Sequence, residues 1–112
     1  MDCLFCKIVN GEIPSTKVYE DDYLYAFNDI NPQAPVHVLI IPKKHIDSAA
    51  DITVENADLV AKVFVAAAKI AKELKLEDGF RIVTNSGDVG CQSVHHIHFH
   101  LLSGKQLSGQ MC

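Results

Sequence analysis

The chain has 112 residues, 48% of them hydrophobic and 21% charged, with a formal net charge of −4 at pH 7. This length and apolar content suit a single domain with one core over residues 1–112, and they exclude a disordered chain. Apart from the Lys43-Lys44 pair and one face of "KIAKELK", the basic residues are scattered, so we expect no nucleic-acid polymer as a partner.

No apolar run approaches the roughly 20 residues that cross a bilayer. The N-terminal segment "MDCLFCKIVNGEIP" lacks the basic start and the longer apolar stretch of a signal peptide. We therefore expect a cytoplasmic protein with no membrane partner.

Helical spacing of the apolar residues in "CLFCKIVNG" predicts a short helix that ends at Gly11. Two short strands follow, "TKVYED" and "YLYAFND", with a hairpin turn predicted at Asp21-Asp22. "NPQAP" is typical of a loop. "VHVLIIP" predicts a strand, because most of its residues are β-branched and Pro42 closes it.

Residues 53–75 form the clearest predicted helix, with Asp51 or Thr53 as its cap and Gly79 as its stop. The apolar stripe of this helix consists of Val60, Val63, Phe64, Ala67, Ile70, Ala71 and Leu74. "FRIVTN" and "VHHIHFHLL" predict two more strands around the loop "SGDVGCQS". This order indicates an α+β fold, in which an antiparallel five-stranded sheet packs with one long and one short helix.

The last predicted strand, "VHHIHFHLL", holds four of the six histidines. Its alternation places His96, His98 and His100 on one face, with neighbours roughly 6.6 Å apart along the strand. Ile97 and Phe99 then point to the other face, where they can pack on the long helix.

Three imidazoles on one face suit two chemistries. They can bind one metal ion, or one can attack phosphorus as a free base, since a pKa of ~6.5 leaves much of it neutral near pH 7. The preceding loop offers donors from Asn85, Gln92 and Ser93 and its backbone N–H groups, which is typical of the oxyanion side of a phosphate pocket. His95 shares the parity of the apolar residues, so we assign it a mainly structural role.

The four cysteines are Cys3, Cys6, Cys91 and Cys112. A disulfide framework is not expected in a cytoplasmic chain with this apolar content. The Cys3-x-x-Cys6 pair predicts a metal site or a redox site, although the strand that precedes a redox motif is missing. For Cys91 and Cys112 we expect a small buried hydrophobe and an exposed tail thiol.

"QSVHHIHFHLL" resembles the His-φ-His-φ-His-φ-φ signature of the histidine-triad (HIT) family, in which φ is apolar. "FCKIVNGEIPSTKVYEDDYLYAFNDINPQAPVHVLIIPKKHI" and "FRIVTNSGDVGCQSV" are similar to the Hint branch, the histidine-triad nucleotide-binding proteins. The resemblance covers nearly the whole chain. It implies a HIT-like fold and a homodimeric nucleotidyl hydrolase that cleaves the P–N bond of nucleoside 5′-phosphoramidates, with purine nucleotides of the AMP or GMP type preferred.

The resemblance also implies roles for single residues. His98 matches the family's nucleophile, which attacks the α-phosphorus and forms a nucleotidyl-histidine. His100 contacts the phosphate and helps proton transfer, Ser93 donates to a phosphate oxygen or the leaving group, and His37 supports the triad. Further residues that match phosphate-pocket positions are Asn85 and Gln92.

On the nucleoside side, Asp29 matches the carboxylate that accepts from the ribose hydroxyls, a role that suits an acceptor-only group. Residues that match the base-binding positions are Phe5, Ile8, Phe27, Ile30 and Leu39. Asn28 lies beside them at the end of a predicted strand, where a ligand can reach. By themselves these apolar residues are more typical of an ordinary core than of a binding site.

Many bacterial family members resemble this chain in an N-terminal Cys-x-x-Cys that pairs with two histidines. The matching residues are Cys3, Cys6, His45 and His96. This Cys₂His₂ set implies a closed tetrahedral site with no open position, hence a structural Zn²⁺. His96 would then hold the metal, and His98 would be a free imidazole oriented through its other ring nitrogen.

Two features depart from the family pattern. Cys91 stands where the Hint branch usually has a glycine, so the loop is strained if that position has positive φ and unaffected if only its N–H matters. The tail "GKQLSGQMC" lacks the Trp-containing ending of animal members, which leaves the leaving-group preference open. Two other functions stay open: a metallohydrolase with the three triad histidines on one metal, and a non-catalytic nucleotide-binding or interaction module.

Overall fold

A five-stranded antiparallel sheet organises the chain in a computed structural model that describes residues 3–111; the prediction for Cys112 lies outside these residues. In chain order the elements are α1 (Leu4–Val9), β1 (Lys17–Glu20), β2 (Leu24–Asn28), β3 (Val36–Pro42), a 3-10 turn (Ala49–Asp51), α2 (Ala57–Glu73), β4 (Arg81–Val83) and β5 (Phe99–Ser103). The strand order is β1-β2-β3-β5-β4, and each neighbouring pair is antiparallel. The predicted α+β class and element order are confirmed.

The two faces of the sheet bury two different clusters, because successive side chains along a strand point to opposite faces. The face under α2 buries Leu24, Ala26, Val38, Ile40, Ile97, Phe99 and Leu101 against Val63, Ala66, Ala67 and Ile70. The opposite face buries Tyr25, Phe27, Leu39 and Ile41 against Cys3, Phe5 and Ile8 around α1. The predicted packing of Ile97 and Phe99 toward the long helix is therefore confirmed, and the second face is left for the histidines.

Helix α2 begins later than predicted. Its N-cap is Asn56, and the carbonyl oxygen of that side chain accepts the Thr53 N–H at 2.7 Å. Asp51 instead closes a capping box with Ser48 in the preceding 3-10 turn. The predicted caps at Asp51 and Thr53 are thus wrong, because both residues are engaged in the turn that leads into the helix.

Helix α2 also ends before the predicted stop at Gly79. Lys75 has φ 57°, and its N–H donates to the Lys72 carbonyl at 3.2 Å. The Leu76 N–H donates to the Ala71 carbonyl at 2.9 Å. This pair of bonds is a Schellman motif, so a lysine occupies the left-handed position where glycine is usual.

The predicted apolar stripe of α2 is only partly buried. Val63, Ala67, Ile70 and Ala71 are buried, whereas Phe64 is 51% exposed and Leu74 is 43% exposed. Phe64 still touches the core through the Phe99 ring, 6.2 Å away between centroids. With Val65 it leaves an apolar patch at the surface. Neither α2 nor any other helix within residues 3–111 has the length and apolar character to cross a membrane.

Strand β5 begins at Phe99, several residues later than "VHHIHFHLL" predicts. The segment before it is an irregular extended chain, and regular pairing with β3 starts with Phe99 opposite Ile40 and His100 opposite Leu39. Because His95 precedes the regular strand, strand parity does not govern its direction. It is exposed and does not pack into the core, so the structural role predicted for it is wrong.

Candidate active site

Cys3, Cys6, His45 and His96 converge beside the first turn of α1, with their ligand atoms within 4.8 Å of one another. Cys3 is the N-cap of that helix, and its sulfur accepts the Cys6 N–H at 3.4 Å. From His96 Nδ1 the distances are 3.4 Å to Cys3 Sγ and 3.6 Å to Cys6 Sγ. His45 Nδ1 lies 3.4 Å from Cys6 Sγ. Zinc bonds of about 2.3 Å to sulfur and about 2.0 Å to nitrogen place tetrahedral ligands roughly 3.6 Å apart, so the cluster fits a zinc site.

Both histidines of this Cys/His cluster direct Nδ1 inward because Nε2 is engaged elsewhere. The Nε2–H of His96 donates to the Pro42 carbonyl at 2.8 Å, and that of His45 donates to the Asp47 carboxylate at 2.6 Å. Each ring thus keeps its lone pair on Nδ1, as a metal ligand requires. Burial and the adjacent Cys3 thiol raise the pKa of Cys6 to about 11, a penalty on the thiolate that a bound cation reverses.

His98 is buried next to this cluster with both its ring and its backbone held in place. Its Nδ1–H donates to the His96 carbonyl at 2.8 Å, which leaves the lone pair on Nε2. The Thr84 hydroxyl donates to the His98 carbonyl at 2.8 Å, and the Phe5 ring lies edge-on with centroids 5.1 Å apart. Burial lowers the pKa of His98, so its Nε2 is a free base at neutral pH.

His100 accepts a hydrogen bond from a second histidine. The Gln33 N–H donates to His37 Nδ1 at 3.0 Å, so the ring proton of His37 lies on Nε2. That nitrogen is 2.9 Å from His100 Nδ1 and 3.4 Å from the Asp29 carboxylate. His100 consequently carries its own proton on Nε2. Burial, followed by the neighbouring His98 and His37, lowers the pKa of His100 to about 4.

Asp29, His37 and His100 also lie close enough together to hold a metal, but their hydrogen bonds argue against it. A metal on His37 Nε2 would require the ring proton on Nδ1, where the Gln33 N–H already donates. We therefore interpret the three residues as a hydrogen-bonded chain. Within residues 3–111 no set of converging metal ligands contains His98, so a single metal on the three triad histidines gains no support.

Gln92 holds the loop that precedes the histidines. Its Nε2 donates to the carbonyls of Asp47 at 2.6 Å and Val94 at 3.0 Å, and its Oε1 accepts the Gly87 N–H at 3.0 Å. Both amide protons are used, so this side chain has no donor left for a phosphate, and its place in a phosphate pocket stays a prediction. Gln92 positions the loop instead, and Asp47 joins the loop to the Cys/His cluster through its bond to His45.

Two predicted phosphate-pocket side chains remain available. Asn85 is half-buried after β4, and Ser93 is exposed just before the histidine segment. In the described part of the chain, the side chain of neither residue hydrogen-bonds to another group, so both can donate to a ligand.

Cys91, which stands where the family pattern has a glycine, adopts a positive φ. Its φ is 62°, in the left-handed region that penalises residues with a Cβ. It is exposed, so the expectation of a small buried hydrophobe is wrong. At the preceding residue, Gly90, an added Cβ would lie 2.6 Å from the Ser86 carbonyl oxygen, so the backbone there has no room for a larger residue.

The residues predicted to hold a base form a buried cluster with one exception. Phe5, Ile8, Phe27 and Leu39 are buried together, and the rings of Phe5 and Phe27 meet edge to face at 5.5 Å. Ile30 is 97% exposed and lies outside that cluster, so it can meet a ligand only at the rim. Asn28 is exposed at the end of β2, and the Asp29 side chain is 19% exposed.

Sequence reasoning missed Asp47 and Thr84, although both fix predicted site residues. Asp47 follows His45 by two residues, so the His-x-Asp spacing offered a signal for a carboxylate that orients a metal ligand. Thr84 gives no such signal. It reaches the His98 carbonyl because β4 pairs with β5 in the register that places Val83 opposite His100.

Known proteins with this arrangement identify the family. The HIT domain profile matches residues 10–107. The chain is 48% identical over 109 residues to a 14 kDa zinc-binding protein from Brassica juncea, covering 96% of each. It is 46% identical over 107 residues to adenylylsulfatase HINT1 from Arabidopsis thaliana, covering 94% of this chain and 73% of that protein. A solved histidine triad protein from Clostridium difficile matches with a TM-score of 0.96 and 55% identity, covering 98% of this chain and 96% of that chain. The chain belongs to the HIT domain family.

Proposed function

We propose that this protein is a nucleotide hydrolase that cleaves the P–N bond of purine nucleoside 5′-phosphoramidates through a covalent nucleotidyl-histidine on His98. The observation that carries the proposal is the 2.8 Å bond from His98 Nδ1 to the His96 carbonyl, since it leaves Nε2 as a fixed free base. A neutral imidazole can attack phosphorus and later leave it, which divides one difficult step into two. The relative named adenylylsulfatase supports chemistry at an adenylyl phosphorus.

In the first step, His98 Nε2 attacks the α-phosphorus and an N–P bond forms. The bond to the amine breaks, its electron pair leaves with the amine, and the amine takes a proton delivered through the Ser93 hydroxyl. In the second step, water attacks phosphorus and the electron pair of the N–P bond returns to His98. The water replaces the delivered proton, so the products are an amine and a nucleoside monophosphate.

The phosphate and the nucleoside would be held by different groups. The Nε2–H of His100 and the Asn85 amide supply donors for the phosphate oxygens, where charge develops during both steps, and the Ser93 hydroxyl can join them once the amine has left. Asp29 accepts from the ribose hydroxyls. The purine, of the AMP or GMP type, lies against the apolar cluster that includes Phe5, Ile8, Phe27 and Leu39, with Asn28 and Ile30 at its rim.

We also propose that Cys3, Cys6, His45 and His96 hold a structural Zn²⁺. Four protein ligands leave no position for water or substrate, so the ion's contribution is to the fold. It would tie α1 to the segment that leads into β5 and thus hold Phe5 against the ring of His98, where the centroids are 5.1 Å apart.

We further propose a cytoplasmic homodimer of two single-domain chains. The apolar patch on α2 supports an interface on that helix, since Phe64 and Val65 are 51% and 57% exposed. Covering such side chains removes apolar surface from water. The molar mass from light scattering would be that of two chains for wild type, and replacement of Phe64 by lysine would shift it toward one chain.

The proposed function is tested with adenosine 5′-phosphoramidate and His98→Ala. Removal of the nucleophile is expected to lower kcat by roughly 1,000-fold or more while AMP still binds, because ground-state contacts remain. His95→Ala is the matched control: this exposed imidazole lies three residues away, and its loss should leave turnover unchanged. When wild type is quenched rapidly during turnover, mass spectrometry should show the added mass of one nucleotidyl group on His98.

Two outcomes would reject the proposed mechanism. Substantial turnover by His98→Ala would exclude the nucleophile. AMP binding without turnover of this substrate by wild type would favour the non-catalytic nucleotide-binding module.

Adenylyl sulfate is a second candidate substrate in the same assay, favoured by the relative named for that activity, and its sulfate can leave without a proton.

A further inference from the structure

We propose that Asp29 couples recognition of the ribose to the chemistry at phosphorus, because it acts on His100 through His37. The inference rests on the proposed function and deepens it: the sugar would be a determinant of kcat as well as of affinity.

Asp29 is tied to His37 twice. The Asp29 N–H donates to the His37 carbonyl at 2.9 Å, and the Asp29 carboxylate oxygen Oδ2 lies 3.4 Å from His37 Nε2. The other carboxylate oxygen, Oδ1, accepts the Asn31 N–H at 2.8 Å, which fixes the side chain in this orientation. The His37 side chain is only 4% exposed and that of Asp29 is 19% exposed. A ligand can therefore reach Asp29 but not His37.

The ring proton of His37 faces two acceptors. Its Nδ1 is occupied by the Gln33 N–H, so the single proton on Nε2 is hydrogen-bonded to His100 Nδ1 at 2.9 Å, while the Asp29 carboxylate oxygen Oδ2 lies 3.4 Å from the same nitrogen. The shorter contact is an ordinary hydrogen bond, and the longer one is an electrostatic attraction by which the carboxylate draws the same proton away from His100. Ribose hydroxyls that donate to Oδ2 would occupy its lone pairs and leave the His37 proton to His100.

That change acts on the atom that meets the phosphate. When the Asp29 charge is screened, the hydrogen bond from His37 to Nδ1 fixes the ring plane of His100. It keeps the proton of His100 on Nε2, where that proton can be donated to a phosphate oxygen. The charged and titratable groups around His100 act on its pKa in opposite directions. Burial and the neighbouring His98 and His37 lower its pKa, whereas the Asp29 carboxylate raises it, so screening of Asp29 by a sugar favours the neutral ring.

The kinetic test compares adenosine 5′-phosphoramidate with its 2′,3′-dideoxy analogue. In wild type we expect loss of the hydroxyls to lower kcat about 10-fold in addition to raising KM. In Asp29→Asn we expect a kcat that no longer depends on the hydroxyls, because the charge that they screen is gone. His95→Ala serves as the control and should show the wild-type difference. A dideoxy effect confined to KM in wild type would overturn the inference.

A second measurement does not require turnover. The ring ¹⁵N resonances of His37 and His100 are recorded with saturating AMP and with saturating 2′,3′-dideoxy-AMP. Both ligands are expected to shift His100, because both place a phosphate against its Nε2–H, and only AMP is expected to shift His37 as well. Identical shifts from the two ligands would overturn the coupling. Absence of turnover with these shifts present would reject the proposed hydrolysis alone.

Discussion

The Nδ1 of His98 lies 2.8 Å from the carbonyl oxygen of His96, so a single backbone carbonyl joins the proposed nucleophile to a proposed zinc ligand. Phe5 makes a second connection. It lies between Cys3 and Cys6 in the sequence and packs edge-on against both imidazoles, with centroids 6.0 Å from His96 and 5.1 Å from His98. Order in the Cys/His cluster and the orientation of His98 therefore depend on the same few residues.

Zinc should be retained through purification and should stabilise the fold. Protein purified without added metal is expected to contain about one zinc per chain by atomic emission, and Cys6→Ser to contain much less. A metal present at about 1,000 times its Kd stabilises the native state by roughly 4 kcal/mol, so chelation should lower the Tm. Cys91→Ser, a change at an exposed cysteine outside the cluster, is the control. Well under one equivalent of zinc together with a Tm unaffected by chelator would contradict the site.

The free energy of unfolding should decrease as pH is lowered, partly because of His100. Burial first, then the neighbouring His98 and His37, lowers its pKa from 6.5 to about 4, so between these values the unfolded chain binds the proton more readily. The contribution of this group is fully present above pH 6.5 and is lost as pH falls toward 4. Urea unfolding at pH 7 and pH 5 should show a larger loss for wild type than for His100→Asn. Equal losses would mean that this ring titrates normally.

Cys91→Gly should stabilise the protein. A residue with a Cβ costs about 1–2 kcal/mol at left-handed φ, and the extra freedom of glycine in the unfolded chain offsets about 0.5–1 kcal/mol, so a net gain of roughly 0.5–1 kcal/mol is expected. Urea unfolding measures it. Cys91→Ala removes the thiol and keeps the strain, so it should show no gain. Equal stability of the glycine and alanine variants would exclude strain at this position.

Local pattern predicted the elements better than it predicted side-chain roles. "VHVLIIP" matches β3 at both ends, because a run of β-branched residues closed by proline has few other structures. Gln92 shows where such reasoning stops. Its partner Asp47 lies 45 residues away in the sequence, so no spacing reveals that its amide is already used. The direction of the His95 side chain also could not be predicted from the sequence, since it depends on where regular β pairing begins.

Thr84 should support catalysis through the position of His98. Its hydroxyl donates to the His98 carbonyl at 2.8 Å, while the ring of the same residue bonds to the His96 carbonyl. Thr84→Val keeps the shape and removes this bond, which costs about 1–3 kcal/mol when a buried acceptor is left unpaired. Because a nucleophile displaced slightly reacts more slowly, kcat is expected to fall about 10-fold with little change in KM. Thr84→Ser, which keeps the hydroxyl, should restore most of the rate. A serine variant as slow as the valine variant would assign the effect to packing of the missing methyl group instead.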